Sequence, residues 1–86
     1  MIEIYSRSGC TFCDQAKVLL RSRSVPFTEK MLGVDFTRDQ LIEWFPHATT
    51  YPVVVEDGFH IGGYTELRTQ LLLKEQLDDH RKLLQE

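Results

Sequence analysis

Residues 2–13, IEIYSRSGCTFC, decide the fold class of this chain, because a strand signal, a polar loop and a helix start follow one another directly. Ile2–Tyr5 is a short β-prone segment with alternating character, and the Ser6–Gly9 loop ends it. From Cys10 onward, apolar residues recur at i, i+3 and i+7 as far as Leu20, which is helical spacing. The stretch therefore predicts a strand and a helix with a cysteine pair at the turn between them.

The rest of the chain extends this start to a βαβ, α, ββ, α order. Pro26 is expected to stop the first helix, and a second strand is predicted at Val25–Lys30. The next helix is predicted to begin with the capping box Thr37–Gln40 and to end at Pro46. Strands are predicted at Pro52–Val55 and Phe59–Ile61 on either side of an Asp57-Gly58 turn, followed by a last helix capped by Thr65. A βαβ crossover joins parallel strands with a right-handed connection, whereas a tight hairpin joins antiparallel ones. We therefore predict an α/β fold in which helices cover both faces of a four-stranded mixed sheet.

Length and composition place the chain among small soluble globular proteins. Its 86 residues suffice for one domain, 1–86, in which 74–86 forms a helical C-terminal extension whose leucines pack on the domain or meet a partner. The net charge of −3 and the scattered lysines and arginines give no footprint for nucleic-acid binding. No signal region and no apolar run approaching about 20 residues is present, so we expect a cytoplasmic protein with no membrane partner.

The only two cysteines, Cys10 and Cys13, are better explained as a working dithiol than as a structural feature. A disulfide that closes so short a loop stabilises a fold very little. A structural zinc site needs four ligands, but the chain has no second CxxC, and its histidines at 47, 60 and 80 are widely spaced, so we predict no metal site. A CxxC that follows a strand in a βαβ context favours redox chemistry.

The two cysteines differ in their expected roles. The reactive form is the thiolate, and a free cysteine with a pKa of about 8.5 supplies little of it at neutral pH. At a helix N-terminus Cys10 faces unpaired N–H groups, and Arg7 adds a positive charge nearby. We therefore predict that Cys10 is an exposed nucleophile. Cys13, one turn further along the same face, is predicted to be the more buried resolving thiol.

Three blocks of sequence, in this order, resemble a glutaredoxin: IYSRSGCTFC at 4–13, TYP at 50–52 and HIGGYTEL at 60–67. The resemblance covers roughly residues 1–73, and the short chain is similar to the small dithiol glutaredoxins of bacteria and phages. It implies a thioredoxin-like fold and a thiol–disulfide oxidoreductase. The HIGGY block favours a glutaredoxin over a thioredoxin.

The resemblance also implies a glutathione site, with one group of residues for each end of the tripeptide. Cys10 and Cys13 correspond to the catalytic pair, and Arg7 to the basic residue that meets the glycyl carboxylate. Thr50, Tyr51 and Pro52 stand in the place of a Thr-Val-Pro segment whose proline is cis and whose backbone pairs with the tripeptide. The remaining implied contacts are Phe12, and, at the γ-glutamyl end, Gly63, Thr65 and Glu66.

Several positions depart from the family pattern. Thr11 replaces the proline of a CPYC motif, and Phe12 replaces its tyrosine. Thr49 and Val53 stand where many relatives have a basic residue and a glutamine. Tyr51 is bulkier than the usual valine, so its side chain is expected to narrow or line the groove.

The resemblance implies glutathione as the reductant, with no tightly bound cofactor, and a monomer that acts on disulfide-containing proteins or glutathione mixed disulfides. Ribonucleotide reductase is the best-known acceptor of the family. Two alternatives stay open at this stage. One is an electron donor recharged by thioredoxin reductase, which the glycine pair and Arg7 disfavour. The other is a [2Fe–2S] protein in which two chains and glutathione supply four thiolates, which the loss of proline at Thr11 keeps open.

Overall fold

The computed structural model describes the backbone of residues 1–85 and the side chains of residues 1–74. Seven elements follow one another along the chain: strand β1 (Ile2–Ser6), helix α1 (Thr11–Ser22), strand β2 (Phe27–Met31), helix α2 (Arg38–Trp44), strands β3 (Val53–Glu56) and β4 (Phe59–Gly62), and helix α3 (Tyr64–Gln85). This is the predicted order. The predicted packing of the leucines at 77, 83 and 84 lies outside the described side chains.

The four strands form one mixed sheet in the order β2-β1-β3-β4. β1 pairs in parallel with β2, with Ile4 opposite Glu29, and antiparallel with β3, with Ile4 opposite Val54. β3 and β4 form the antiparallel hairpin, with a register irregularity between Val54 and Val55. The predicted mixed sheet and its strand directions are confirmed. Because β1 is a central strand, the loop that follows it lies at the middle of the sheet, at the C-terminal end of β1.

Successive side chains of the two central strands, β1 and β3, point to opposite faces of the sheet, and each face carries a hydrophobic core. On one face, α1 and α3 cover a cluster formed by Ile2, Ile4, Ala16, Leu20, Val54, Leu67 and Leu71. On the other face, α2 covers a second cluster formed by Tyr5, Phe36, Leu41, Val53 and Val55. Ile4 and Val54 are completely buried, and full burial of such a side chain contributes about 1.5–3 kcal/mol.

Helix α1 ends earlier than the sequence suggests, because its C-terminus is closed by a Schellman motif rather than by Pro26. Ser24 takes a left-handed conformation, with φ of 56°, and its N–H donates to the carbonyl of Arg21 at 3.1 Å. The N–H of Val25 donates to the carbonyl of Leu20 at 3.0 Å. This pair of bonds is the Schellman pattern, with serine in the position that glycine usually takes. Val25 is thereby committed to the helix end, so β2 starts two residues later than predicted.

Helix α2 begins as predicted. The Thr37 hydroxyl accepts the N–H of Gln40 at 3.1 Å, and the Gln40 side chain accepts the N–H of Thr37 at 2.9 Å, which is a complete capping box. Phe36, directly before the cap, and Leu41, in the first turns of the helix, lie in the same buried cluster. The described residues contain no helix that is long and apolar enough to cross a membrane.

Candidate active site

Cys10 and Cys13 lie where the loop after β1 meets the start of α1, and they form a disulfide with a Cα–Cα separation of 5.2 Å. Gly9, with φ of 69°, turns the chain into the helix. Cys10 is the N-cap residue of α1, and its sulfur accepts the N–H of Cys13 at 3.1 Å. A backbone donor aimed at this sulfur, together with the positive end of the helix dipole, stabilises a thiolate there when the disulfide is reduced.

The structure corrects the expected exposure of Cys10. The residue is only 6% exposed, and Cys13 is 1% exposed, so both are buried and Cys10 is the more accessible of the two. Cys10 is covered because its sulfur is bonded to that of Cys13 and lies against the first turn of α1. The expected order of accessibility therefore agrees with the structure, whereas the expectation of an exposed nucleophile is wrong for this oxidised state.

Arg7 lies in the loop before the cysteine pair, and its side chain extends toward Tyr51. The guanidinium carbon is 5.7 Å from the centroid of the Tyr51 ring, a cation–π distance. Arg7 is exposed, whereas Tyr51 is half-buried and packs against the second core cluster. The bulky side chain expected to line the groove is thus also a support for the neighbouring arginine, a contact that the sequence did not indicate.

The loop before β3 brings three further predicted residues close to the start of α3. The Tyr51–Pro52 bond is cis, as the resemblance implies. A side chain built on Gly63 would have its Cβ 3.4 Å from the carbonyl oxygen of Pro52 and 3.7 Å from the hydroxyl oxygen of Thr50. Thr50, Pro52 and Gly63 therefore lie against one another, and the absence of a side chain at Gly63 allows this close approach.

The start of α3 differs from the prediction that Thr65 caps it. The helix begins at Tyr64, and the Gly63 carbonyl already accepts the N–H of Leu67 at 3.1 Å. Glu66 reaches back so that its carboxylate accepts the N–H of Gly63 at 3.1 Å. Glutamate at the third helical position can bond to the N-cap N–H in this way. Glu66 therefore takes the capping role, and Thr65 is an exposed residue of the first turn.

A cleft of about 230 Å³, which we call the Tyr64 cleft, lies between Phe12, the residue before Cys13, and the start of α3. Its walls are formed by Phe12, Thr50, Tyr51, Gly63, Tyr64, Thr65 and Glu66. Six of these seven residues are among those that the resemblance assigns to glutathione binding. The seventh, Tyr64, was missed, although an aromatic residue directly after a glycine pair was a usable signal. Its ring lies 5.8 Å from that of Phe12, which is 56% exposed.

A second cleft of about 310 Å³, the Leu41 cleft, lies on the other side of Tyr51. It is lined by Leu32, Arg38, Leu41, Ile42, Ala48, Thr49, Thr50, Tyr51 and Val53. Sequence reasoning assigned no role to its residues on α2, because their side chains reach this place only through the packing of α2 on the sheet. Thr50 and Tyr51 line both clefts, so they separate the two.

An ion pair fixes α1 to the sheet behind the cysteines. The Lys17 ammonium lies 2.6 Å from the Glu29 carboxylate on β2 and 3.5 Å from the Asp14 carboxylate one turn earlier. The hydrogen bond to Glu29 raises the pKa of Lys17, and this effect exceeds the opposing effect of its partial burial. Among the side chains at 1–74, no group of three or more His, Cys, Asp and Glu residues could hold a metal ion.

The fold and the cysteine pair define a thioredoxin-like thiol–disulfide oxidoreductase. The family model that matches the chain, over residues 2–61, is glutaredoxin. This chain therefore belongs to the glutaredoxin family.

Known relatives agree with this assignment. The chain is 37% identical to glutaredoxin 3 of Escherichia coli K12 over 67 residues, which is 77% of this chain and 80% of that protein. It is 39% identical over 66 residues to a hybrid peroxiredoxin, hyPrx5, of Haemophilus influenzae, of which it spans only 27%. The crystal structure of glutaredoxin 1 from Francisella tularensis matches with a TM-score of 0.71 and 27% identity, over 90% of this chain and 95% of that one.

Proposed function

We propose that this protein is a glutathione-dependent thiol–disulfide oxidoreductase that reduces protein disulfides or glutathione mixed disulfides through Cys10 and Cys13. The observation that carries the proposal is the Tyr64 cleft, which begins at Phe12 between the two cysteines and ends at the start of α3. A tripeptide thiol bound in this cleft has its sulfur next to Cys10.

Polar groups of the cleft, together with Arg7 over its Tyr51 wall, suit the two ends of glutathione. At one end, the γ-glutamyl ammonium pairs with the carboxylate of Glu66, and its carboxylate meets the N-terminal N–H groups of α3 beside Gly63. In the middle, the main chain of Tyr51 pairs with the tripeptide. At the other end, Arg7 receives the glycyl carboxylate, since a guanidinium can donate two parallel hydrogen bonds to it.

The proposed cycle begins with the reduced dithiol. The Cys10 thiolate attacks one sulfur of a substrate disulfide, a Cys10–substrate disulfide forms, and the other substrate sulfur leaves as a thiolate. The Cys13 thiolate then attacks the Cys10 sulfur, which gives the Cys10–Cys13 disulfide and releases the second substrate thiol. A glutathione thiolate opens this disulfide at Cys10, and a second glutathione attacks the glutathione sulfur of the mixed disulfide. The products are oxidised glutathione and the reduced dithiol.

The proposed substrates are proteins with accessible disulfides, and ribonucleotide reductase is one candidate acceptor. We further propose that the chain acts as a monomeric single domain in the cytoplasm and needs no tightly bound cofactor. The match to part of a hybrid peroxiredoxin adds an oxidised peroxiredoxin to the candidate acceptors. The proposed reaction is the same for each acceptor, namely attack of the Cys10 thiolate on an accessible disulfide.

The proposal is tested by determining which reducing system, glutathione or thioredoxin reductase, supports turnover. Purified protein is assayed with the mixed disulfide of glutathione and 2-mercaptoethanol, glutathione, NADPH and glutathione reductase, and in parallel with insulin, NADPH and thioredoxin reductase. We expect turnover in the first assay and little in the second. Turnover only with thioredoxin reductase would overturn the glutathione dependence. Visible absorbance and bound iron after anaerobic reconstitution, without turnover in either assay, would instead indicate the cluster-binding function.

A further inference from the structure

We propose that Tyr51, which lines the Tyr64 cleft, is a positioning residue that holds the Arg7 guanidinium over its ring and thereby selects substrates with a carboxylate at that end. This inference rests on the proposed function and adds to it a role for a side chain. The resemblance assigns position 51 only a main-chain role, and its usual valine has no ring to offer.

Arg7 and the ring of Tyr51 lie within cation–π distance of each other. The Arg7 guanidinium carbon lies 5.7 Å from the centroid of the Tyr51 ring, within the range of about 6 Å in which a cation is attracted to an aromatic face. Arg7 is an exposed residue of a loop, so without this contact its long side chain would sample many rotamers. The ring therefore restricts the arginine to one region of the surface.

The Tyr51 ring is the fixed partner of this pair. Tyr51 is half-buried and packs against the cluster formed by Tyr5, Phe36, Leu41, Val53 and Val55. It also lines both the Tyr64 cleft and the Leu41 cleft, so its ring forms the ridge between them. Packing on the core determines where the ring lies, and the guanidinium follows the ring.

The hydrogen-bond donors of Arg7 remain available to a ligand. A guanidinium attracted to a ring through its positive charge does not use up its N–H donors in that contact. Those donors are the ones that bind a carboxylate bidentately. Immobilising a flexible side chain on binding costs affinity, and a side chain already held in place avoids much of this cost. Tyr51 therefore strengthens binding of a carboxylate by Arg7 without touching it.

The experiment compares two substrates that differ only at this end. One is the mixed disulfide of glutathione and 2-mercaptoethanol, and the other is the same compound with its glycyl carboxylate converted to an ethyl ester. Both are assayed with the wild type, Tyr51→Leu and Tyr51→Phe. Leucine keeps an apolar side chain on the core but removes the ring, whereas phenylalanine keeps the ring, so these two variants form a matched pair.

For Tyr51→Leu we expect KM for the acid to rise about three- to tenfold, in line with the loss of a cation–π contact and of pre-organisation. KM for the ester is expected to change less than about twofold, since the ester cannot form the ion pair. Tyr51→Phe is expected to retain most of the discrimination between acid and ester. Equal KM ratios in the wild type and Tyr51→Leu would overturn the inference while leaving the proposed function intact.

A second measurement reports on the contact directly and does not depend on activity or on the folding of a variant. In the wild type, NMR signals of the Arg7 side-chain protons are expected upfield of ordinary arginine positions, because they lie over the Tyr51 ring. If this ring-current shift is absent, the inference is overturned whatever the kinetics show. A wild type that is inactive with both substrates would overturn the proposed function and this inference with it.

Discussion

Helices α1 and α2 begin with the same hydrogen bond but use it for different purposes. In α1 the sulfur of Cys10 accepts the N–H of Cys13, and in α2 the hydroxyl of Thr37 accepts the N–H of Gln40, both at 3.1 Å. In each case the cap and its partner are three residues apart, the spacing of a capping box. The bond to Thr37 stabilises the start of α2, whereas the bond to Cys10 stabilises the start of α1 and also the sulfur proposed to react.

The two helices differ in the bond that the side chain of the third helical residue forms with the N-cap residue. Gln40 returns a hydrogen bond to the N–H of Thr37, which completes the box. Cys13 instead bonds covalently to the side chain of Cys10. The spacing of CxxC is therefore the spacing of a helix cap in which the reciprocal hydrogen bond has been replaced by a reversible covalent bond. Four variants test this comparison, in order of decreasing effect.

Cys10→Ser is expected to abolish activity while preserving the cap. Serine is a strongly preferred N-cap residue, so the free energy of unfolding of the reduced protein should change by less than about 1 kcal/mol. Turnover with any disulfide substrate should fall to the background rate of the coupled assay, because the attacking thiolate is gone. Retained turnover would mean that Cys13 can serve as the nucleophile, and the assignment of roles would be wrong.

Cys13→Ser separates the two stages of the reaction. Reduction of a protein disulfide should fall on the order of tenfold or more, since the Cys10–substrate disulfide can no longer be resolved internally. Removal of glutathione from a small mixed disulfide should continue, because external glutathione can attack the Cys10 adduct. A mass spectrum of the trapped protein should show one glutathione on Cys10. An equal loss with both substrates would contradict the resolving role.

Thr37→Ala tests the N-cap of α2, which takes no part in the proposed reaction. Loss of the hydroxyl should lower the free energy of unfolding by about 1 kcal/mol and leave turnover unchanged. Urea denaturation followed by far-ultraviolet circular dichroism measures the effect. Thr69→Ala, at an exposed position of α3, is the matched control and should be neutral or slightly stabilising, since alanine is the better helix former. Equal effects at the two positions would show that the capping box contributes nothing specific.

Lys17→Met should have the smallest effect, and that effect should depend on pH. The pKa of Lys17 is raised above its ordinary 10.5 in the folded protein, so its ion pair stabilises the fold fully below that pH. The stabilisation is lost as the pH rises through the folded-state pKa. We expect a cost of about 0.5–1 kcal/mol near neutral pH that shrinks above pH 10.5.

Lys74→Met is the control for Lys17, because the Lys74 ammonium lies 3.6 Å from Glu56 and its side chain is 56% exposed, against 17% for Lys17. Such an exposed pair should contribute little. Denaturation curves collected from pH 7 to 11.5 compare the two variants. A loss for Lys17→Met that stays constant across this range would show that packing of its methylenes, rather than its charge, anchors α1.

The fold was predictable because its determinants are local. The alternation in β1, the apolar run of β3, the Thr37 capping box and the Asp57-Gly58 turn each lie within a few neighbouring residues. The errors arose where a residue of unusual type performs a common task. Ser24 takes the left-handed position at which a glycine is expected, and Glu66 rather than Thr65 caps α3.

The candidate site was predictable in part, and mostly through the three sequence blocks of the resemblance. They led to six of the seven residues that line the Tyr64 cleft. What the sequence could not indicate depends on contacts between distant segments, such as the guanidinium of Arg7 over the Tyr51 ring. The burial of Cys10 is also a property of the assembled loop and helix, since nothing in a CxxC motif states how deeply its first sulfur lies.

The glycine at position 62 has a consequence for how this protein can vary. Its φ is 129°, and a Cβ built there would lie 2.6 Å from Cγ of Glu66, closer than real atoms approach. Any side chain at 62 would therefore displace the glutamate that caps α3 and lines the cleft. Glutamate at 66 is compatible with this loop only while 62 carries no side chain, so the helix cap at 66 removes the freedom of position 62 to vary.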